Sequence, residues 1–206
     1  MMKTKLTTLT LAAALACSAA PVLAQSQGDI TVGLGVAGVF PTSNNGVLAG
    51  PTPIDVQDGY SLTITGEYFI ADNLGIELLA AWPFEHDIKS GGTKIGEVKH
   101  LPPTLSLQYH FTNNSPVTPF IGAGINYTTF TEDKAVGPLA GSTLSLDDSW
   151  GVALHAGLDY EISAKGSLRA DLRWIDIESD VKLNGINIGK AKIDPWIFGV
   201  AYVHKF

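Results

Sequence analysis

The chain has 206 residues, 45% of them apolar and only 16% charged, with a formal charge of −7. That length suits one ordinary domain, but a soluble domain carries about 25% charged residues, so something apolar must surround or fill this protein. Disorder is excluded because it joins low hydrophobicity to high charge, and the acidic balance excludes a nucleic-acid surface, which needs a basic stripe to replace phosphate counterions.

The first predicted element is a secretory signal peptide over residues 1–24. Lys3 and Lys5 form a short positive region, Leu6 to Ala16 an apolar one, and Val22-Leu23-Ala24 a cleavage site before Gln25. The apolar region is too short to span a membrane as a helix. A lipoprotein reading on Cys17 is weaker, since Leu15 stands next to the usual leader position. Removal of the segment takes two lysines, the single cysteine and no acid. The domain over 25–206 then has no disulfide framework and must hold its fold another way.

No later apolar run reaches about 18 residues, so no helical span is expected. The rest of the chain alternates with period two. Eight strands are predicted, at about 29–40, 59–70, 74–86, 98–111, 118–131, 149–161, 167–178 and 194–206. In the second, Tyr60, Leu62, Ile64, Tyr68 and Ile70 alternate with Ser61, Thr63, Thr65 and Glu67; in the fourth, Leu105, Leu107 and Tyr109 alternate with Thr104, Ser106, Gln108 and His110. In the sixth, Trp150, Val152, Leu154, Leu158 and Tyr160 form the apolar face. The connections at 71–73, 112–117 and 162–166 are short, while those at 41–58, 87–97, 132–148 and 179–193 are long. Short turns at one end and long loops at the other are the pattern of an outer-membrane barrel. The predicted fold is all-β, an eight-stranded antiparallel transmembrane β-barrel with both ends of the domain on the periplasmic side.

The aromatic residues separate this reading from a soluble barrel. Trp82, Trp150, Trp174 and Trp196 fall at the long-loop ends of the strands, and Tyr68, Tyr109, Tyr160, Tyr202 and Phe206 at the opposite ends. Two such bands suit two membrane interfaces. A soluble barrel would collect its aromatics in the middle, as core.

Charges then belong inside. If Leu168, Ala170, Leu172 and Trp174 face lipid, alternation turns Arg169, Asp171 and Arg173 to the lumen, and the same period places Glu67, Glu77, Gln108, His155 and Asp159 there. An arginine facing lipid at mid-membrane would cost about 2–4 kcal/mol. The expected role is structural, a plug of paired groups bracing a bore that side chains nearly fill. An apolar solute therefore needs a way around it. Pro83 lies late in strand three and Pro102 and Pro103 early in strand four; prolines donate no ladder hydrogen bond. A hairpin with its loop centred near Gly92 is expected to bring Pro83 opposite Pro102 and predicts a weak lateral seam on the outer side, whereas the plainer reading is that the prolines end the membrane strands early. In the loop over 41–58, Val47, Leu48 and Ile54 are expected to form an apolar collecting mouth.

Three other patterns carry no chemistry. Gly33-Leu34-Gly35-Val36-Ala37-Gly38 spells GxGxxG, but no helix comes after it to face a pyrophosphate. His86 and His100 flank one loop and can approach each other without a third ligand at useful spacing, so no metal is expected. His155 and Asp159 have no nucleophile placed beside them, so no catalytic residue and no cofactor is assigned. A lipid-modifying barrel enzyme and a receptor or adhesin acting through the long loops are the competing classes.

The segments 74–88 (LGIELLAAWPFEHDI), 99–111 (KHLPPTLSLQYHF), 119–129 (PFIGAGINYTT), 146–160 (LDDSWGVALHAGLDY), 174–181 (WIDIESDV) and 193–198 (IDPWIF) together resemble the OmpW family of small outer-membrane proteins, in order and across nearly the whole domain. The resemblance implies an eight-stranded barrel that passes small hydrophobic molecules across the outer membrane of a Gram-negative bacterium after export to the periplasm. It also implies links to stress responses and partners of several kinds: outer-membrane lipids and lipopolysaccharide, the barrel-assembly machinery reading terminal Phe206, and phage or bacteriocin at the loops. Two features depart from the family pattern. His204 stands third from the end, where a tyrosine or another apolar residue is usual, and Arg169, Asp171 and Arg173 make the lumen more charged than a hydrophobic channel.

Overall fold

The computed structural model describes residues 25–43 and 45–206; the signal-peptide reading and Cys17 lie outside the described residues. In chain order the strands are β1 (Ile30–Phe40), β2 (Ile54–Val56), β3 (Gly59–Ala71), β4 (Leu74–Ala81), β5 (Phe84–Ser90), β6 (Thr93–Leu101), β7 (Thr104–His110), β8 (Val117–Ala135), β9 (Leu144–Leu146), β10 (Ser149–Ser163), β11 (Gly166–Ile175), β12 (Glu178–Leu183), β13 (Ile186–Lys192) and β14 (Trp196–Lys205).

Eight of them close a ring. β1 pairs with β3, and the order continues through β4, β7, β8, β10, β11 and β14 back to β1, every pairing antiparallel. Closure leaves no open edge in lipid, where an unpaired backbone group would cost several kcal/mol. Period two sets the faces: Leu34, Val36, Leu62, Ile64, Leu105, Leu107, Leu154 and Leu172 are exposed outward, while Glu67, Glu77, Gln108 and Arg169 are buried inward. So large an apolar surface would be untenable in water and is the solvated face in a bilayer. Trp82, Trp150 and Trp196 protrude at one rim together with Tyr60 and Phe40, and Tyr68, Tyr109, Tyr160, Tyr202 and Phe206 at the other. None of the described helices is long and apolar enough to cross a membrane.

Predicted strands three and four are not continuous. The first breaks at Trp82-Pro83 into β4 and β5, and the second at Pro102-Pro103 into β6 and β7. Loops predicted at 87–97 and 179–193 are hairpins instead. Gly91-Gly92 turns β5 into β6 with φ of 55° and 81°, and Asn184-Gly185 turns β12 into β13 with φ of 52° and 80°. Two successive positive φ values match the right-handed twist of the flanking strands, and Gly and Asn reach them at least cost. The barrel thus continues above the membrane as an extension. β6 pairs with the upper end of β8, β5 with β6 and β2 with β5, while β9, β12 and β13 form a separate sheet.

The space inside the upper barrel and extension is apolar. One cluster joins Val39, Phe84, Ile175, Ile177, Ile193 and Ile197. A second, farther out, joins Ile54, Ile88, Val98, Leu144, Leu146 and Val181, and Phe130 packs against both. Each strand contributes its inward alternate residues, so the column is a consequence of pattern.

Candidate functional site: a charged plug, an apolar column and a broken ladder

Below the column the inward residues become ionic. Arg169 on β11 donates from Nε to Asp159 Oδ1 at 2.7 Å, from Nη2 to Asp159 Oδ2 at 2.8 Å and from Nη1 to Glu77 Oε2 at 2.8 Å. Arg173 donates to the other oxygen of Glu77 at 2.7 Å. Gln108 donates to Glu67 Oε2 at 3.0 Å, and His110 Nε2 lies 2.9 Å from Glu67 Oε1. The Arg169 guanidinium also stacks over Phe120, 4.5 Å from the ring centre. Every nitrogen of Arg169 is engaged. The planar fork of arginine makes this possible where lysine would offer a point charge. His155 is buried beside the network, its Nδ1 4.0 Å from Glu77, and Asp171 faces a small cavity on the outer side. All eight predicted lumen residues thus point inward, and six of them share one network.

Two glycines make room for this density. A Cβ on Gly122 would stand 1.8 Å from His155 Nε2, and one on Gly75 would stand 2.3 Å from Glu67 Oε1. Neither glycine is needed for a turn; each is needed because a large side chain on the neighbouring strand lies across its face.

Above the plug lies a cavity of about 30 Å³, the room of roughly one water molecule, with Glu77, Asp171 and Arg173 at its floor and Ala81, Phe84 and Pro102 at its outer wall. That wall is the break in the ladder. The last pair between β4 and β7 is Leu79 with Thr104, and the first between β5 and β6 is Phe84 with His100. Between them, residues 80–83 and 101–103 are joined by no ladder pair. Extending the upper register brings Pro83 level with Leu101, not with Pro102 as hairpin symmetry predicted. The turn is centred between Gly91 and Gly92, a register that by itself would set Pro83 against His100, and the irregularity between Ile88 and Lys89 shifts the pairing by one residue. Each side of the gap is instead tied to its outer neighbour. Trp82 N donates to the Leu62 carbonyl at 2.9 Å, Tyr127 N to the Pro103 carbonyl at 3.0 Å, and Asn126 Nδ2 to the Pro102 carbonyl at 3.1 Å.

The predicted mouth is divided. Ile54 is 1% exposed within the outer apolar cluster and Leu48 packs against it, whereas Val47, paired with Pro53, is exposed. Pairing of β2 with β5 turns Ile54 and Val56 inward and leaves no common face with Val47.

Sequence reasoning kept His86 and His100 apart from the site, yet both sit inside the extension just above the gap. Their rings stack with centroids 4.9 Å apart, and His100 also stacks on Phe84 at 5.6 Å. Burial holds both imidazoles below the usual histidine range, His86 against the pull of the Gln57 carbonyl and two nearby aspartates, and His100 down to about 3. Phe84, Phe130 and Phe120 were not singled out from sequence. Their inward alternation was the available signal. Among the described residues no group of three or more His, Cys, Asp or Glu is placed to hold a metal ion.

The profile of the OmpW family matches residues 26–206. Outer membrane protein W of Vibrio cholerae is 40% identical, covering 95% of this chain and 97% of its own. The crystal structure of the outer membrane protein OprG from Pseudomonas aeruginosa superposes with a TM-score of 0.79 at 32% identity, covering 90% of this chain and 99% of that one. A more distant relative, the dibenzothiophene metabolism operon protein PahQ of Pseudomonas aeruginosa, is 27% identical over 74% of each chain. With its closed eight-stranded ring, apolar outer face and full-length matches, this chain belongs to the OmpW family and is a protein of the Gram-negative outer membrane.

Proposed function

We propose that this barrel takes up small apolar molecules through the extracellular extension and releases them sideways into the outer membrane between β4 and β7. The observation that carries the reading is the coincidence of three features at one height: the inner end of the apolar column, the small cavity, and the gap between residues 80–83 and 101–103. Directly below stands the plug, where an apolar molecule would have to displace paired charges, at a cost far above that of leaving through the wall. The opposite wall of the cavity offers no such exit, since β1 and β14 pair without interruption from Thr31–Lys205 to Phe40–Trp196. The name of the relative PahQ refers to an apolar fused aromatic, which agrees with a solute of this kind.

The test is a cysteine pair, Ala81→Cys with Pro102→Cys, on the two sides of the gap. Both residues line the cavity. In cells with intact lipopolysaccharide, oxidation of the pair is expected to abolish uptake of an apolar solute and reduction to restore it. Uptake unchanged by a formed disulfide overturns the lateral route.

A further inference from the structure

The buried polar atoms of the extension do not suit a purely apolar cargo. His86 Nε2 and both ring nitrogens of His100 are buried and make no hydrogen bond, although the residues are only 2% and 1% exposed. An orphaned buried polar atom costs about 1–3 kcal/mol, and native structures keep few of them without a use.

The protonation pattern of the pair comes from one contact. His86 Nδ1 lies 2.6 Å from the Gln57 carbonyl oxygen. A carbonyl only accepts, so Nδ1 carries the hydrogen and Nε2 is a bare acceptor. Neutral His100 has one N–H and one bare nitrogen, both unused. Together the rings offer two acceptors and one donor; a hydroxyl group, which donates one hydrogen bond and accepts up to two, engages the one donor and one of the two acceptors at once.

The surroundings are two-faced. On one side His86 and Gln57 line an open cleft of about 520 Å³ whose walls include Glu85, Asp87, Lys94 and Lys99. On the other, His100 packs on Phe84 and Phe130, which belong to the apolar column. A molecule with one polar end and an apolar body matches this junction.

We infer that the His86–His100 pair is a recognition site for the hydroxyl group of an apolar alcohol or phenol, and that it makes such molecules the preferred cargo of the barrel. The inference rests on the uptake reading above, and the experiment separates the two. In the full barrel reconstituted in lipid, imidazole 15N shifts of His86 and His100 are followed on addition of 1-octanol and, separately, octane. Saturable shifts with the alcohol only are expected. No shift with 1-octanol, or equal shifts with both, overturns the inference.

A second measurement reads transport. In cells with intact lipopolysaccharide, His100→Phe, which keeps the ring stack, is expected to lower the ratio of octanol to octane uptake by about fivefold to tenfold, the worth of one hydrogen bond. An unchanged ratio overturns the inference. If wild-type barrels speed neither solute, the uptake reading fails, while the 15N result still decides whether the pair binds a hydroxyl.

Discussion

Arg169 and Glu77 are 92 residues apart in the chain and 2.8 Å apart in the barrel, joined across the bore from diametrically opposite strands, β11 and β4. The bond braces the ring as a spoke braces a rim. Because Arg173 holds the second oxygen of the same carboxylate, Glu77 ties one wall to two inward positions of the other, one on either side of Asp171.

Loss of the hub is therefore costly. Arg169→Met leaves Asp159, Glu77 and Glu67 without their shared cation in a low-dielectric bore, and breaking such a buried set costs about 3–5 kcal/mol. A urea unfolding midpoint in lipid vesicles is expected to fall accordingly. Arg169→Lys should recover only part of the loss, because an ammonium cannot reach three acceptors in a fixed plane.

Gly122 and His155 are direct cross-strand partners, and only the absence of a Cβ lets the ring lie over the neighbouring strand. Gly122→Ala is expected to destabilise the barrel by about 1–3 kcal/mol through overpacking. His155→Ala in the same chain should relieve most of that cost, and a double-mutant cycle measures the coupling.

Acid should loosen the extension before the barrel. The folded values of His86 and His100 lie below the ordinary 6.5, that of His100 at about 3. The contribution of His100 is complete above about pH 6.5 and is lost as pH falls toward 3, because the unfolded extension takes up protons that the folded one refuses, and that of His86 is lost in the same direction. Each unit of acidification in that window removes about 1.4 kcal/mol through His100. Amide exchange, corrected for its intrinsic pH dependence, is expected to speed up in β5 and β6 between pH 7 and pH 4.5 while the β1–β14 ladder stays protected.

The gap should close when its prolines are replaced. Pro83→Val with Pro102→Val returns two backbone donors and adds residues suited to a strand. Amide exchange at residues 80–82 is expected to slow and uptake of an apolar solute to fall severalfold. Exchange that slows without any loss of uptake would count against this gap as the exit.

Much of this protein was readable from alternation. Once Leu168, Ala170 and Leu172 are assigned to lipid, Arg169 and Arg173 have only the lumen left to face, so the barrel, its aromatic rims and the membership of the plug result from a period of two. Alternation says which face a residue takes and nothing about its height relative to a strand on the other side of the ring. That height comes from closure and stagger, and it alone decided that Arg169 meets Glu77, whereas Asp159 is its direct partner in the β10–β11 hairpin. The same limit separates the prolines from the gap. Sequence placed Pro83, Pro102 and Pro103 near one another, but the one-residue irregularity beside Ile88 set the register, and the hydrogen bonds of Trp82 and Tyr127 to their outer neighbours left residues 80–83 and 101–103 unjoined. His86 and His100 show it most simply: two inward positions on adjacent strands, stacked into one site only by the pairing of β5 with β6.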